Sequence, residues 1–185
     1  STNAARSGGS AVKRPWLGAK LQALTPELRE SLNLTAAGGA GIVAGSIDTT
    51  GAQGGRVDIL ADHGTVRVNG HIIANSTQGN AGGDIIIRGQ TQGQSDSPGV
   101  VSQDKFLIDS GTGIINIKGT STHSDGINFS RAGNPNYVIQ SAHTGGTAII
   151  IDGTTSYAGG STIGGLSLST LYTGTMSVVE QDALR

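Results

Sequence analysis

The chain has no cysteine, one methionine, one tryptophan, two phenylalanines and three tyrosines among its 185 residues. Without cysteine there is no thiolate nucleophile or thiolate metal ligand; the absence suits export, where a free thiol is a liability, and a reducing compartment equally. The shortage of aromatics excludes the usual compact core, which leans on large rings. Charge is scarce too, at 14% of residues with a formal net charge of −1. No basic stripe appears, so the electrostatic footprint of a nucleic-acid binder is missing. No apolar run approaches the roughly 18 residues that read as a membrane-crossing helix. The opening Ser1-Thr2-Asn3-Ala4 has no signal-peptide character and reads as a tag scar or an internal fragment boundary.

What is present is glycine, 31 of them, and short Ile/Val runs bounded by Gly, Ser, Thr, Asn and Asp. Apolar runs punctuated by turn formers are the strand signature. The glycines lack the strict three-residue period of collagen. The recurring apolar triplets also argue against disorder, which needs a chain too polar to bury anything.

Residues 1–34 form a separate region. Ser7-Gly8-Gly9-Ser10 reads as linker, and Arg14-Pro15-Trp16-Leu17-Gly18-Ala19-Lys20-Leu21 follows as a strand-like stretch. Thr25-Pro26-Glu27 starts a helix, with Thr as N-cap, Pro at the first helical position and Glu facing the dipole. Leu24, Leu28 and Leu32 fall on one stripe. A short amphipathic helix is expected over about 26–33, acting as an N-terminal cap.

From 35 to 185 one unit recurs: a Gly-rich turn, an apolar strand and a polar corner. Its instances are Gly54-Gly55-Arg56-Val57-Asp58-Ile59, Gly82-Gly83-Asp84-Ile85-Ile86-Ile87-Arg88-Gly89, Gly111-Thr112-Gly113-Ile114-Ile115-Asn116-Ile117-Lys118-Gly119 and Gly145-Gly146-Thr147-Ala148-Ile149-Ile150-Ile151-Asp152-Gly153. Further strands are expected at 65–68, 71–74, 106–108, 126–129, 137–140 and 166–168. The spacing is loose, which suits a solenoid with loops of variable length at one corner. No unit can bury its inward Ile or Val alone, whereas stacked neighbours bury them as a column. Alternation sets the phase: Val57 and Ile59 in with Asp58 out, Val66 and Val68 in with Arg67 out, Ile115 and Ile117 in with Asn116 out. Ile85/Ile87 and Ile149/Ile151 follow, leaving Ile86 and Ile150 outward. A β-sandwich also uses short strands at close spacing, but the repeated unit and the missing aromatics favour an all-β, right-handed parallel β-helix.

The stretch Leu32-Asn33-Leu34-Thr35-Ala36-Ala37-Gly38-Gly39, the Gly-Gly-strand units, Leu107-Ile108-Asp109-Ser110-Gly111-Thr112-Gly113 and Ile117-Lys118-Gly119-Thr120-Ser121 together resemble filamentous-haemagglutinin-type repeats, over about residues 33–170. The resemblance implies a β-helical segment of a large exoprotein exported by two-partner secretion to the surface of a Gram-negative cell. It further implies a role in adhesion, biofilm or contact-dependent competition; the partner expected is a cell-surface glycan or protein receptor, and the open solenoid ends offer edges for self-association. The secretion cap of such proteins is not recognisable here. A second resemblance is local. Lys13-Arg14-Pro15-Trp16-Leu17-Gly18-Ala19 and Leu24-Thr25-Pro26-Glu27-Leu28 are similar to the opening of a PDZ domain from a trypsin-like periplasmic serine protease, which implies peptide binding. No Gly-Asp-Val-Ile segment follows them; Val68-Asn69-Gly70-His71-Ile72-Ile73 is a faint echo of a later strand.

Candidate chemistry is sparse. His63, His71, His123 and His143 lack the spacing of a metal site, although stacking would bring His123 towards His143. Asp58, Asp84 and Asp152 fall at neighbouring positions of three units. Convergence in a groove would give them the carboxylates of a polysaccharide-processing enzyme. Asn116 replaces the acid in the remaining unit, and Arg56, Arg88 and Lys118 lie among them, as on a solvated polar face. Asp96 and Asp125 read as turn residues. No Gly-x-Ser-x-Gly elbow, calcium nonapeptide or regular Thr ladder is found. The expectation is therefore a non-enzymatic module with no catalytic, cofactor-binding or metal-ligating residue, presenting binding loops around 90–105, 120–126, 131–136 and 153–165.

Overall fold

The computed structural model describes residues 41–92, 97–102, 105–129, 137–158, 165–168, 171–173 and 176–181. The N-terminal helix expected over 26–33, with the whole 1–34 region, lies outside them, as do Asp96 and the loop at 131–136.

The described chain is all β. It runs as successive coils of three strands: β1 (Ile42–Ala44), β2 (Ile47–Asp48) and β3 (Val57–Ala61); β4 (Val66–Val68), β5 (Ile72–Ile73) and β6 (Ile85–Gln90); β7 (Val100–Val101), β8 (Phe106–Asp109) and β9 (Ile115–Ser121); β10 (Ile127–Phe129), β11 (Tyr137–Gln140) and β12 (Ile149–Thr155); β13 (Leu166–Leu168), β14 (Leu171–Thr173) and β15 (Met176–Gln181). Among the described residues these form three five-stranded sheets, β1-β4-β7-β10-β13, β2-β5-β8-β11-β14 and β3-β6-β9-β12-β15, here called sheets 1, 2 and 3. Each strand pairs in parallel with the one a full coil later. Parallel pairing needs a long crossover. Here the two other strands of the coil supply it, which is the connectivity of a parallel β-helix.

Stacking explains why such short strands persist. Ile59, Ile87, Ile117 and Ile151 are register partners in sheet 3, and so are Val57, Ile85, Ile115 and Ile149. Sheet 2 stacks Ile72, Ile108 and Ile139, and sheet 1 stacks Val66, Val100 and Ile127. Nearly all of these side chains are inaccessible to solvent. A β-branched side chain with one preferred rotamer fits against its own kind about 4.8 Å above and below. The inward and outward phase expected from the sequence holds at every position named for it. The few aromatics are concentrated: Phe106 packs against Phe129 and Tyr137, with centroids 5.0 and 5.1 Å apart, filling the interior of the third and fourth coils.

The corner from sheet 3 to sheet 1 explains much of the glycine. Gly119 lies so close to the next strand that a Cβ would collide with the carbonyl oxygen of Gly126, and a Cβ on Gly126 with the Thr154 amide. Gly89 with Gly99, and Gly153 with Gly165, repeat the crossing in the coils before and after. Positive φ is the lesser reason; it occurs at Gly79, Gly111 and Gly146. Inward hydroxyls then start the loops. Buried Ser121 donates to the Ser97 carbonyl at 3.0 Å while its oxygen accepts the Ser124 amide at 2.9 Å. Thr155 Oγ1 accepts the Tyr157 amide at 3.1 Å, and at the corner from sheet 2 to sheet 3 Ser141 Oγ accepts the His143 amide at 3.1 Å. Each satisfies a turn N–H that the ladder no longer serves.

Candidate functional site

The outward face of sheet 3 is the broadest regular surface. Because the register is fixed, its side chains fall in rows across the coils. One row is Asp58, Ile86, Asn116 and Ile150; the next is Leu60, Arg88, Lys118 and Asp152; a third contains Gln90, Thr120 and Thr154.

These rows decide the fate of the three carboxylates. Asp84 lies level with Arg56, two residues before the Asp58 row, and Asp152 belongs to the Leu60 row. Asp84, Asp58 and Asp152 thus share the outward face of sheet 3 and fall in three successive rows, not in one. The ladder sets the alignment, because the Gly-rich turns differ in length. Each acid also faces a cation. Arg56 lies 3.3 Å from Asp58 and 4.0 Å from Asp84, and Lys118 lies 4.0 Å from Asp152. Asp84 further accepts the Ile114 amide at 2.9 Å. Acid/base cleavage of a glycosidic bond needs two carboxyls facing each other across the sugar; here Asp58 and Asp84 share the Arg56 guanidinium, and Asp152 lies on β12 beside Lys118.

The histidines are also separate. His63 and His71 are exposed. His123 stacks on Tyr157 with centroids 5.9 Å apart, and its Nδ1 lies 3.1 Å from Thr122 Oγ1. His143 Nδ1 lies 3.1 Å from the Thr112 carbonyl oxygen. Among the described residues no group of three or more His, Asp or Glu is placed to hold a metal ion. Asp125 is buried and accepts the Asn128 side-chain amide at 2.7 Å, in keeping with its reading as a turn residue.

A shallow groove of about 250 Å³ lies at the end of sheet 3, lined by Leu60, Asp62, Arg88, Gln90, Lys118 and Thr120, with Ala61 and Gly89 beneath. Sequence reasoning grouped Arg88 and Lys118 with the solvated face and did not single them out. The usable signal was the shared frame Ile87-Arg88-Gly89 and Ile117-Lys118-Gly119: the residue between an inward Ile and the corner glycine always projects outward. Beside the groove, the chain leaves sheet 3 at the corner where Ser121 and Thr155 start their loops, and the His123–Tyr157 pair joins the loops of successive coils. Comparison with protein-family models, with curated proteins and with solved structures finds no match for this chain.

Proposed function

We propose that the chain is a structural and adhesive segment of a secreted bacterial surface exoprotein, a right-handed parallel β-helix that holds binding loops away from a Gram-negative cell. The supporting observation is the corner between sheets 3 and 1. A rigid frame repeats there coil after coil, with crossed glycines and inward hydroxyls, while the connecting loops differ in length and polar sequence. Binding surfaces are commonly built this way, as variable loops on an invariant scaffold. The resemblance to haemagglutinin-type repeats points the same way.

The test is attachment of the full chain to cell monolayers. Saturable binding is expected, and it should fall when residues 122–125 and 156–158 are together exchanged for Gly/Ser of equal length. Attachment unchanged by that exchange would refute the loop-display reading. Release of reducing or unsaturated sugar ends from a polysaccharide, abolished by Asp84→Ala, would replace it with an enzymatic one.

A further inference from the structure

We propose that the groove over Arg88 and Lys118 binds an acidic saccharide, a sugar unit carrying a carboxylate or a sulfate. The inference supplies ligand chemistry for the adhesive reading above and rests on it.

The starting point is a misfit in charge. Arg88 and Lys118 are register partners on adjacent strands, both projecting to solvent. Like charges directly opposite on one sheet face repel and destabilise the pair. Elsewhere on the same face the sheet avoids this: Arg56 is held between Asp58 and Asp84. At the groove it does not. Leu60 is the partner of Arg88 on the other side, and among the described residues Arg88 makes no ion pair. Lys118 has one carboxylate partner, Asp152 at 4.0 Å, where Arg56 has two. Two cations side by side on neighbouring strands, with Asp152 on the far side of Lys118, present a binding position for an external anion. The guanidinium fork of Arg88 suits a planar carboxylate or a sulfate, and Lys118 adds a point charge.

The remaining lining gives the ligand its class. Gln90 offers an amide, Thr120 a hydroxyl and Asp62 a carboxylate acceptor, all of which match sugar hydroxyls. Leu60, 53% exposed, offers an apolar surface to the C–H face of a ring. A free inorganic anion would use only the cations. A nucleic-acid strand would want a longer basic track with aromatic stacking, which this lining lacks. The groove is open and smaller than the roughly 300–1,000 Å³ of pockets that enclose drug-sized ligands. It fits a single acidic sugar unit laid across β3, β6 and β9, with the rest of a glycan running over the neighbouring loops.

The test uses the full chain, titrated by calorimetry and by NMR amide shifts with trigalacturonate, a heparin-type sulfated disaccharide, maltotriose and triglutamate. Saturable binding of one or both acidic saccharides is expected, with shifts centred on Arg88, Gln90, Lys118 and Thr120. Whether trigalacturonate or the sulfated sugar binds tighter identifies the anionic group. Maltotriose and triglutamate should bind at least about tenfold more weakly, since each lacks one half of the chemistry. Arg88→Gln and Lys118→Gln should each weaken saccharide binding by about tenfold or more. Arg88→Gln should not lower the melting temperature, because it relieves a repulsion and breaks no ion pair among the described residues, whereas Lys118→Gln also gives up the Asp152 contact. Arg88→Lys, which keeps the charge and loses the fork, should fall between them and the parent. Arg56→Gln should bind as the parent does. No saturable binding of either acidic saccharide, equal binding of triglutamate, or equal weakening by Arg56→Gln would overturn the proposal. If saccharide binding fails while loop-dependent cell attachment persists, the groove assignment falls and the adhesive reading stands.

Discussion

Individual side chains in sheet 3 are placed by alternation alone. Ile117 is fully buried between Ile87 and Ile151, while its neighbour Asn116 faces outward. Ile117→Asp should cost about 3–5 kcal/mol, through lost packing and a buried unpaired carboxylate. Asn116→Asp should stay within about 0.5 kcal/mol, as for most surface substitutions. Thermal melts of the two variants check this, and similar losses would refute the phase. One carboxylate carries a measurable pH signature. Asp48 is held below its ordinary pKa, first by the Thr50 hydroxyl and then by the Thr50 amide, which donates to it at 2.8 Å. A depressed folded-state pKa adds stability above the unfolded-state value, and that stability is lost as pH falls through the folded-state value. Since Asp48 is exposed, the effect on stability should be slight. Thr50→Val should still raise the Asp48 pKa towards the ordinary range, read by NMR titration of its side-chain carboxyl carbon.

At the scale of elements, most strands legible in the sequence combine inward Ile, Val or aromatic positions with a turn former at one end. β3, β6, β9 and β12 are among them, and so are β8, β10 and β11. The strands β1, β2 and β7 were not expected from the sequence; each pairs in register with the next coil, as Ile47 pairs with Ile72 and Val100 with Ile127. β14 and β15 were missed as well. The site was less legible than the strands. That Arg88 and Lys118 lie side by side follows from register, and register depends on loops whose lengths the sequence leaves free. Glycine at the corners is expected either for positive φ or for a close pass to the next coil, and at Gly119 and Gly126 the close pass is the constraint. Gly119→Ala should therefore destabilise by about 1–3 kcal/mol, the usual cost of overpacking. Gly45→Ala is the control: a Cβ there meets nothing within 4 Å, and the change should be neutral or stabilise by up to about 1 kcal/mol through the unfolded chain. Equal losses in denaturant melts would mean that the corner is not tightly crossed.

At the scale of the molecule, the fold trades a compact aromatic core for a column of small apolar side chains extended along one axis. Each coil contacts the coils before and after it, so stability accumulates by neighbour interfaces. A surface feature placed on one coil is repeated in register on the next, which is why a row of outward residues behaves as a unit. The account therefore depends on parallel pairing one coil apart, where a β-sandwich would pair successive strands antiparallel. Long-range HNCO spectroscopy detects the coupling across individual backbone hydrogen bonds and reads that pairing directly. The predicted correlations join the Val57 amide to the Asp84 carbonyl, the Ile85 amide to the Ile114 carbonyl and the Ile115 amide to the Ala148 carbonyl, each bond being 2.9 Å long. Correlations joining β3 to β4, or β9 to β10, as antiparallel neighbours in place of these would contradict the stacked solenoid and everything built on its register.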